Sequence, residues 1–187
     1  MGNRRNTTRI TGGIWKRTIV PVLEDGSVRP TLSRIRETVF NWIRHDIEIA
    51  ECKVLDLFCG SGVLGLEAMS RGAASACFVD WNMECLVNVK SLLTRLNASH
   101  KATLINEEVS NWLGQNIGKQ YDLVFIDPPF ASDNPEMYLS KVKHLVKKNG
   151  LVYLENKSSV SMTLDSEVEC WRSARAGTIY YGLYRIL

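Results

Sequence analysis

The chain has 187 residues, of which 45% are hydrophobic and 23% charged, with a net charge of +3. That balance fits one folded domain with a full core and excludes a disordered or fibrous chain. No apolar run is long enough to span a membrane, and the polar, basic start (Met1 to Gly13) lacks the apolar core of a secretory signal.

Residues 1–44 hold nine Lys/Arg against three Asp/Glu, a balance of +6, while the rest of the chain carries −3. A basic arm on a mildly acidic body points to a polyanionic partner, the plainer reading being a solvated tail. Residues 8–22 alternate weakly around Gly12-Gly13 and predict a short β-ribbon ending near Pro21, with Glu24-Asp25-Gly26-Ser27 as a turn. Pro30-Thr31 opens a predicted helix over 33–46, with Thr31 as N-cap and an apolar face of Leu32, Ile35, Val39, Phe40 and Ile43.

Strands and helices then alternate. Strand 53–58 runs through a glycine loop into helix 63–71, which Gly72 stops. Strand 76–80 precedes helix 83–97, with Asn82 as its cap. Strand 102–106 and a short helix at 108–115 follow, then strand 122–126. A helix from Pro135 to Lys148 is expected to end at Asn149-Gly150, followed by strand 151–155. Segments 166–173 and 178–186 are too close together for a crossover helix, so the last strand is expected antiparallel to its neighbour. The pattern predicts an α/β fold: seven strands, mostly parallel, with helices on both faces and an antiparallel C-terminal hairpin. We divide the chain into an N-terminal arm, 1–30, and a body, 31–187.

Two strand ends carry the chemistry. In an open parallel sheet, ligands bind beyond the carboxyl ends of the strands. Gly60-Ser61-Gly62-Val63-Leu64-Gly65 follows a strand and opens a helix, as a dinucleotide fingerprint does, and Asp80 at the next strand end is placed for ribose hydroxyls. NAD and S-adenosylmethionine both fit that pattern. Asp56, four residues ahead of the first glycine, suits the ammonium group of S-adenosylmethionine, and the short chain leaves little room for a dehydrogenase's substrate domain. Phe58, Ser61 and Trp81 complete the candidate cofactor site, with Glu107 or Glu108 facing the adenine amino group; Glu108 is preferred.

Asp127-Pro128-Pro129-Phe130 closes the apolar run Leu123-Val124-Phe125-Ile126. Paired prolines bar both helix and ladder, leaving a stiff turn that offers a carboxylate, a carbonyl and an aromatic ring. Two acceptors would draw the protons of a base amino group and aim its lone pair at a methyl donor, while Phe130 stacks on the base. A hydride-transfer enzyme has no use for such a turn. His45, His100 and His144 are scattered, so no metal site is expected. The five cysteines (52, 59, 77, 85 and 170) are odd in number without Cys-x-x-Cys spacing, as in a reduced, cytoplasmic protein. Arg4, Arg5, Arg9, Lys16, Arg17 and Arg29 are candidate RNA contacts. Trp15 would either touch RNA or pin the arm.

With these residues in view, the chain resembles the RsmD-type 16S rRNA guanine-N2 methyltransferases of the class I, Rossmann-like S-adenosylmethionine-dependent fold. The likeness runs through Arg9-Ile10-Thr11-Gly12-Gly13-Ile14-Trp15-Lys16, Arg29-Pro30-Thr31 with Arg34 and Arg36-Glu37-Thr38, the loop Asp56 to Gly62 with Leu64-Gly65-Leu66-Glu67-Ala68, and Asp127-Pro128-Pro129-Phe130. Asp80, Ser33 and Glu108 depart from the family's usual residues. The resemblance implies an enzyme methylating one guanine amino group of 16S rRNA within the assembled small subunit; a monomer is expected. An adenine-N6 methyltransferase of DNA or RNA is the alternative enzyme. A nucleic-acid-binding module with a vestigial cofactor site is the alternative from another class.

Overall fold

The computed structural model describes residues 6–23, 32–116, 118, 120–128, 135–156 and 166–187, with residues 135 and 136 described in backbone only. The arm forms a small antiparallel ribbon of β1 (Thr7–Arg9) and β2 (Ile19–Pro21). The body contains α1 (Ser33–Asp46), β3 (Lys53–Leu57), α2 (Val63–Ser70), β4 (Ser75–Asp80), α3 (Met83–Arg95) and β5 (Ala102–Asn106). It continues with α4 (Val109–Gln115), β6 (Tyr121–Ile126), α5 (Pro135–Val142), β7 (Val146–Asn156), β8 (Val168–Ala176) and β9 (Ile179–Ile186).

Seven strands form one sheet in the order β5-β4-β3-β6-β7-β9-β8. The first five are parallel, and β9 inserts antiparallel between β7 and β8, as the tight C-terminal hairpin requires. Alternate side chains of each strand feed two separate cores. Val54, Phe78, Phe125 and Tyr153 meet α1, α2 and α3 on one face, while Leu55, Val79, Val124 and Val152 meet α4 and α5 on the other. Parallel strands covered on both faces must be apolar throughout, which explains their unbroken hydrophobic runs.

Every residue of α2 is buried, because the arm covers the side turned away from the sheet. Its two polar side chains are the docking points. Glu67 Oε1 accepts from Thr11 N at 2.7 Å. Ser70 Oγ donates to Gly12 O at 2.6 Å and accepts from Trp15 N at 2.9 Å. Gly13 sits at φ +76, and a Cβ there would stand 1.9 Å from Ser70 O, so only glycine allows this approach.

Arg36, counted with the basic arm on sequence, belongs instead to the interior. It is 0% exposed, its Nε donates to Glu67 Oε1 at 3.3 Å, and its Nη2 donates to Arg9 O at 2.6 Å and Thr8 Oγ1 at 3.0 Å. Arg71 completes the network by pairing with Glu67 from the other side and lying over the Phe40 ring at 4.3 Å. A buried guanidinium persists only where its charge and donors are met.

Three further expectations are corrected. The N-cap of α1 is Leu32, whose carbonyl accepts the first intrahelical bond from Arg36 N at 3.1 Å; Thr31 lies outside the described residues. Leu32 is 42% exposed and leaves the apolar face, where Arg36 joins Ile35, Val39, Phe40 and Ile43. The helix expected to reach Lys148 stops at Val142, because Val146 already pairs with Tyr121 in the sheet. The ladder then skips to Leu123↔Leu151, so Lys147, Lys148 and Asn149 form a bulge, with Lys147 Nζ donating to Asp122 Oδ1 at 2.7 Å and Asn149 at φ 65. The turn expected at residues 24–27 lies outside the described residues.

Glu67→Ala would strand Arg36 and Thr11 N in the interior and should cost about 3–5 kcal/mol of unfolding free energy. Urea denaturation measures it, and a loss below about 1 kcal/mol would contradict the network's assigned weight.

Candidate active site at the carboxyl ends of the parallel strands

The register aligns the strand ends. Leu57 is level with Val79 and with Ile126, and Ile126 with Leu154. One residue further on, Phe58, Asp80, Asp127 and Glu155 therefore stand in one row along the crest of the sheet. Asp80 is itself level with Asn106, and Glu155 with Tyr181.

The glycine loop is tied to this row by carboxylates. Asp80 is 6% exposed; its Oδ2 accepts from Gly60 N at 2.7 Å and its Oδ1 from Asn82 N at 2.8 Å. Burial pushes the Asp80 carboxyl upward, the two backbone donors oppose that, and the charge of Glu108 adds to it. Asp56 lies two residues below the crest, level with Phe78 and Phe125, and its Oδ2 accepts from Gly65 N at 2.8 Å. That bond satisfies a first-turn amide of α2, whose N-cap Gly62 has no side chain to do so. Gly62 is left-handed at φ +70, and a Cβ on it would stand 2.7 Å from Val89 Cγ2. The loop thus packs tightly against α3, with Ser61 buried beside it.

Phe58, also left-handed at φ 56, sets its ring edge-on to Tyr138 of α5 at 4.9 Å. A non-glycine residue in this region is strained, and such strain concentrates at ligand sites. Trp81 projects outward at 63% exposure, its backbone held by Asn106 Nδ2, which donates to Trp81 O at 2.8 Å. Glu107 accepts from Gln115 Nε2 at 3.2 Å along α4. Glu108, by contrast, is exposed, and its charge raises the pKa of both Asp80 and Tyr138.

Asp127 is half-buried and Pro128 buried directly after β6. Pro129 and Phe130 lie outside the described residues, as do Arg4, Arg5 and Arg29. Arg9, Lys16 and Arg17 are exposed on the arm, while Trp15 is partly buried and packs against the core, which is the pinning role. Sequence reasoning missed Asn106, Tyr138 and Glu155. Asn106 ends β5 as Asp80 ends β4, and Glu155 follows the apolar run Leu151 to Leu154 as Asp127 follows its own, a signal that was available. Tyr138 carries no comparable mark, since an aromatic at helical spacing reads as core.

The donor set fits an adenosyl cofactor that carries a ribose and an ammonium group. A buried acid ends β4, a loop without side chains at Gly60 and Gly62 turns beneath it, and an exposed indole and the Glu108 carboxylate flank it. The sequence profile of the family described as conserved hypothetical protein 95 matches residues 8–185. The Haemophilus influenzae protein named ribosomal RNA small subunit methyltransferase D is 33% identical, over 98% of this chain and 96% of its own length. The Escherichia coli K12 protein of the same name is 35% identical, over 95% and 89%. The solved structure of Escherichia coli yhhF superposes with a TM-score of 0.84 at 30% identity, covering 97% of this chain and 98% of that one. SMU.776, solved with SAH, shares the fold at a TM-score of 0.67 and 16% identity, over 90% of this chain and 53% of its own.

Burial raises the Asp56 carboxyl from its ordinary 3.8 to about 8, the Gly65 bond opposing and the Asp80 charge adding. The folded protein thus holds a proton that the unfolded chain releases near pH 4, so this group's contribution to stability is present at low pH and lost as pH rises through about 8. Denaturation of the wild type and Asp56→Asn across that window should show the variant gaining on the wild type as pH rises. A difference that stays flat with pH would refute the raised carboxyl.

Proposed function

The chain belongs to the RsmD family, described as conserved hypothetical protein 95, and from that membership we propose that it methylates the exocyclic N2 amino group of a guanine. It is an S-adenosylmethionine-dependent methyltransferase acting on the 16S RNA of the small ribosomal subunit. The proposal adds the atom modified, the residues responsible and the setting: a monomer working in the cytoplasm on an assembled 30S particle. No helix among the described residues is long and apolar enough to cross a membrane.

The observation that carries this reading is the level row of Asp80 and Asp127 on either side of the glycine loop. S-adenosylmethionine, when bound, supplies an electrophilic methyl group on a sulfonium centre. Asp80 is assigned to the ribose hydroxyls: two of its roughly four acceptor positions hold backbone amides, which fixes the carboxylate for that task. Asp56 anchors the loop through Gly65; an ammonium group bound beside it would draw the proton from its raised carboxyl and pair with the charge left behind. Phe58, Ser61, Trp81 and Glu108 enclose the adenosyl moiety.

At the next strand end, Asp127 and the Pro128 carbonyl accept the two protons of the guanine amine. The nitrogen lone pair, otherwise delocalised into the base, is thereby turned out of the ring plane. Asp127 is also placed to take the proton that the amine sheds once alkylated. Positioning and fixed dipoles supply most of the rate. Phe130 is assigned to stack on the base, which must leave its helix or loop to enter. Arg4, Arg5, Arg9, Lys16, Arg17 and Arg29 hold the RNA backbone.

Small-subunit particles lacking the modification, incubated with labelled cofactor and digested to nucleosides, should yield N2-methylguanine; methyladenine would overturn the reading. Asp127→Ala should lower turnover by at least 10³-fold, a loss typical of an electrostatic catalytic group, while cofactor affinity measured calorimetrically changes less than about threefold. Near-native turnover would remove Asp127 from its role. Neutralising Arg9, Lys16 and Arg17 should flatten the dependence of RNA affinity on salt, by about one unit of log–log slope for each phosphate no longer neutralised. An unchanged slope would return the arm to a solvated surface.

A further inference from the structure

The C-terminal hairpin carries the crest two strands beyond β7, on the side of Asp127 away from the glycine loop. Asn156 follows Glu155 and is level with Tyr180 of β9, which is level in turn with Arg175 of β8. At about 4.8 Å per strand, Tyr180 and Arg175 lie about 10 Å and about 14 Å along the sheet from Asp127. Residues opposite one another on neighbouring strands share a face. Cys170, Ser173 and Arg175 therefore share one face with Tyr184, Gly182 and Tyr180, and Leu154 of β7 joins them opposite Gly182. A cavity of about 340 Å³ opens over this face, with Leu154, Cys170, Ser173, Arg175, Tyr180 and Tyr184 in its lining. The Tyr184 ring lies across Gly182, 3.3 Å from where a Cβ would stand, so a larger residue there would displace the ring. Arg175 is exposed but held in place: its Nε donates to Gly177 O at 2.7 Å in the hairpin turn, and its guanidinium lies 4.9 Å from the centre of the Tyr180 ring. The hairpin's other arginines, Arg172 and Arg185, pair with Asp46 of α1 on the opposite face. Arg175 pairs with no acid among the described residues, and it is the one charged residue among those described in the cavity lining.

We propose that this cavity takes the base of an unpaired rRNA nucleotide adjoining the target, with Arg175 on its phosphate; this rests on the reading that the Asp127 turn receives the target base. The glycine loop and Asp80 take up the crest on the β3 and β4 side, so an RNA strand leaving that turn runs over β7, β9 and β8. Aromatic rings and guanidinium planes are the surfaces on which unstacked bases pack, with little regard to sequence. A cation already held by a backbone carbonyl and a ring meets a phosphate at little ordering cost. Gripping the neighbour in this way helps to keep the target nucleotide out of its own stack, which costs a few kcal/mol for an enzyme acting on a base.

The test uses small-subunit particles, with the methylated nucleotide mapped first so that its neighbours are defined whichever base atom is modified. Particles are then reconstituted with 16S rRNA carrying an abasic nucleotide at one neighbour or the other. Loss of the stacked base should raise the wild-type KM roughly 5- to 100-fold at one of these positions. Tyr180→Leu should raise KM by a similar factor on intact particles, with kcat and cofactor Kd within about twofold, and should lose little more on that abasic particle. Tyr180→Phe, which keeps the ring, should match the wild type. Arg175→Gln should lower the salt slope of particle affinity by about one unit. A wild type indifferent to both abasic particles, or losses that simply add at both neighbours, would overturn the proposal. So would a Tyr180→Leu KM equal to the wild type's, or Tyr180→Phe as impaired as Tyr180→Leu. These outcomes leave Asp127 untouched, since its role is decided by the turnover of Asp127→Ala. If Tyr180→Leu does not fold, Arg175→Gln, altered only at an exposed side chain, is read in its place, and a salt slope equal to the wild type's overturns the proposal.

Discussion

The site depends on the register of four parallel strands. Because β3, β4, β6 and β7 end within one residue of a common level, the residues that follow them fall into a single row. The spacing between neighbours in that row is set by backbone hydrogen bonding at about 4.8 Å per strand, not by any side chain. Asp80 and Asp127 are thus held two strand spacings apart by the sheet itself, with the glycine loop rising from the strand between them. A one-residue slip of β6 would exchange its buried faces and withdraw Asp127 from the crest, so the two cores protect the chemistry by enforcing the alignment.

A second constraint secures the opposite side of α2. Glu67 has two cations and a backbone amide around it in a region closed to water. Burial lowers the Arg36 pKa and Glu67 pulls it back, as expected of a pair whose desolvation is offset by mutual attraction. The same carboxylate connects α1, α2 and the arm, so the helix that begins at the glycine loop is fixed at both ends. Asp56 holds its first turn and the Glu67 network its second half.

Much of this was legible in the sequence, for identifiable reasons. Unbroken apolar runs marked the central strands, Asn82 capped α3 as its side chain suggested, and Gly177 turned the hairpin. Acids at strand ends and a glycine loop were enough to locate the crest. What local pattern could not show was tertiary. Arg36 reads as one more surface cation because its partner Glu67 is 31 residues away in the chain. Lys143 to Gly150 reads as the end of a helix because lysines favour helices, whereas pairing of Val146 with Tyr121 overrides that preference. Glu107 is tied to Gln115 along α4, an interaction that spacing alone does not reveal.

The way the arm docks has a consequence for how this enzyme can change. Glu67 and Ser70 grip the arm through main-chain groups of Thr11, Gly12, Ile14 and Trp15, and a lone glycine supplies the clearance. The outward side chains of Arg9, Ile14, Lys16 and Arg17 take no part in that grip. Mutation can therefore rewrite that exposed face one position at a time, while the attachment beneath it stays as it is.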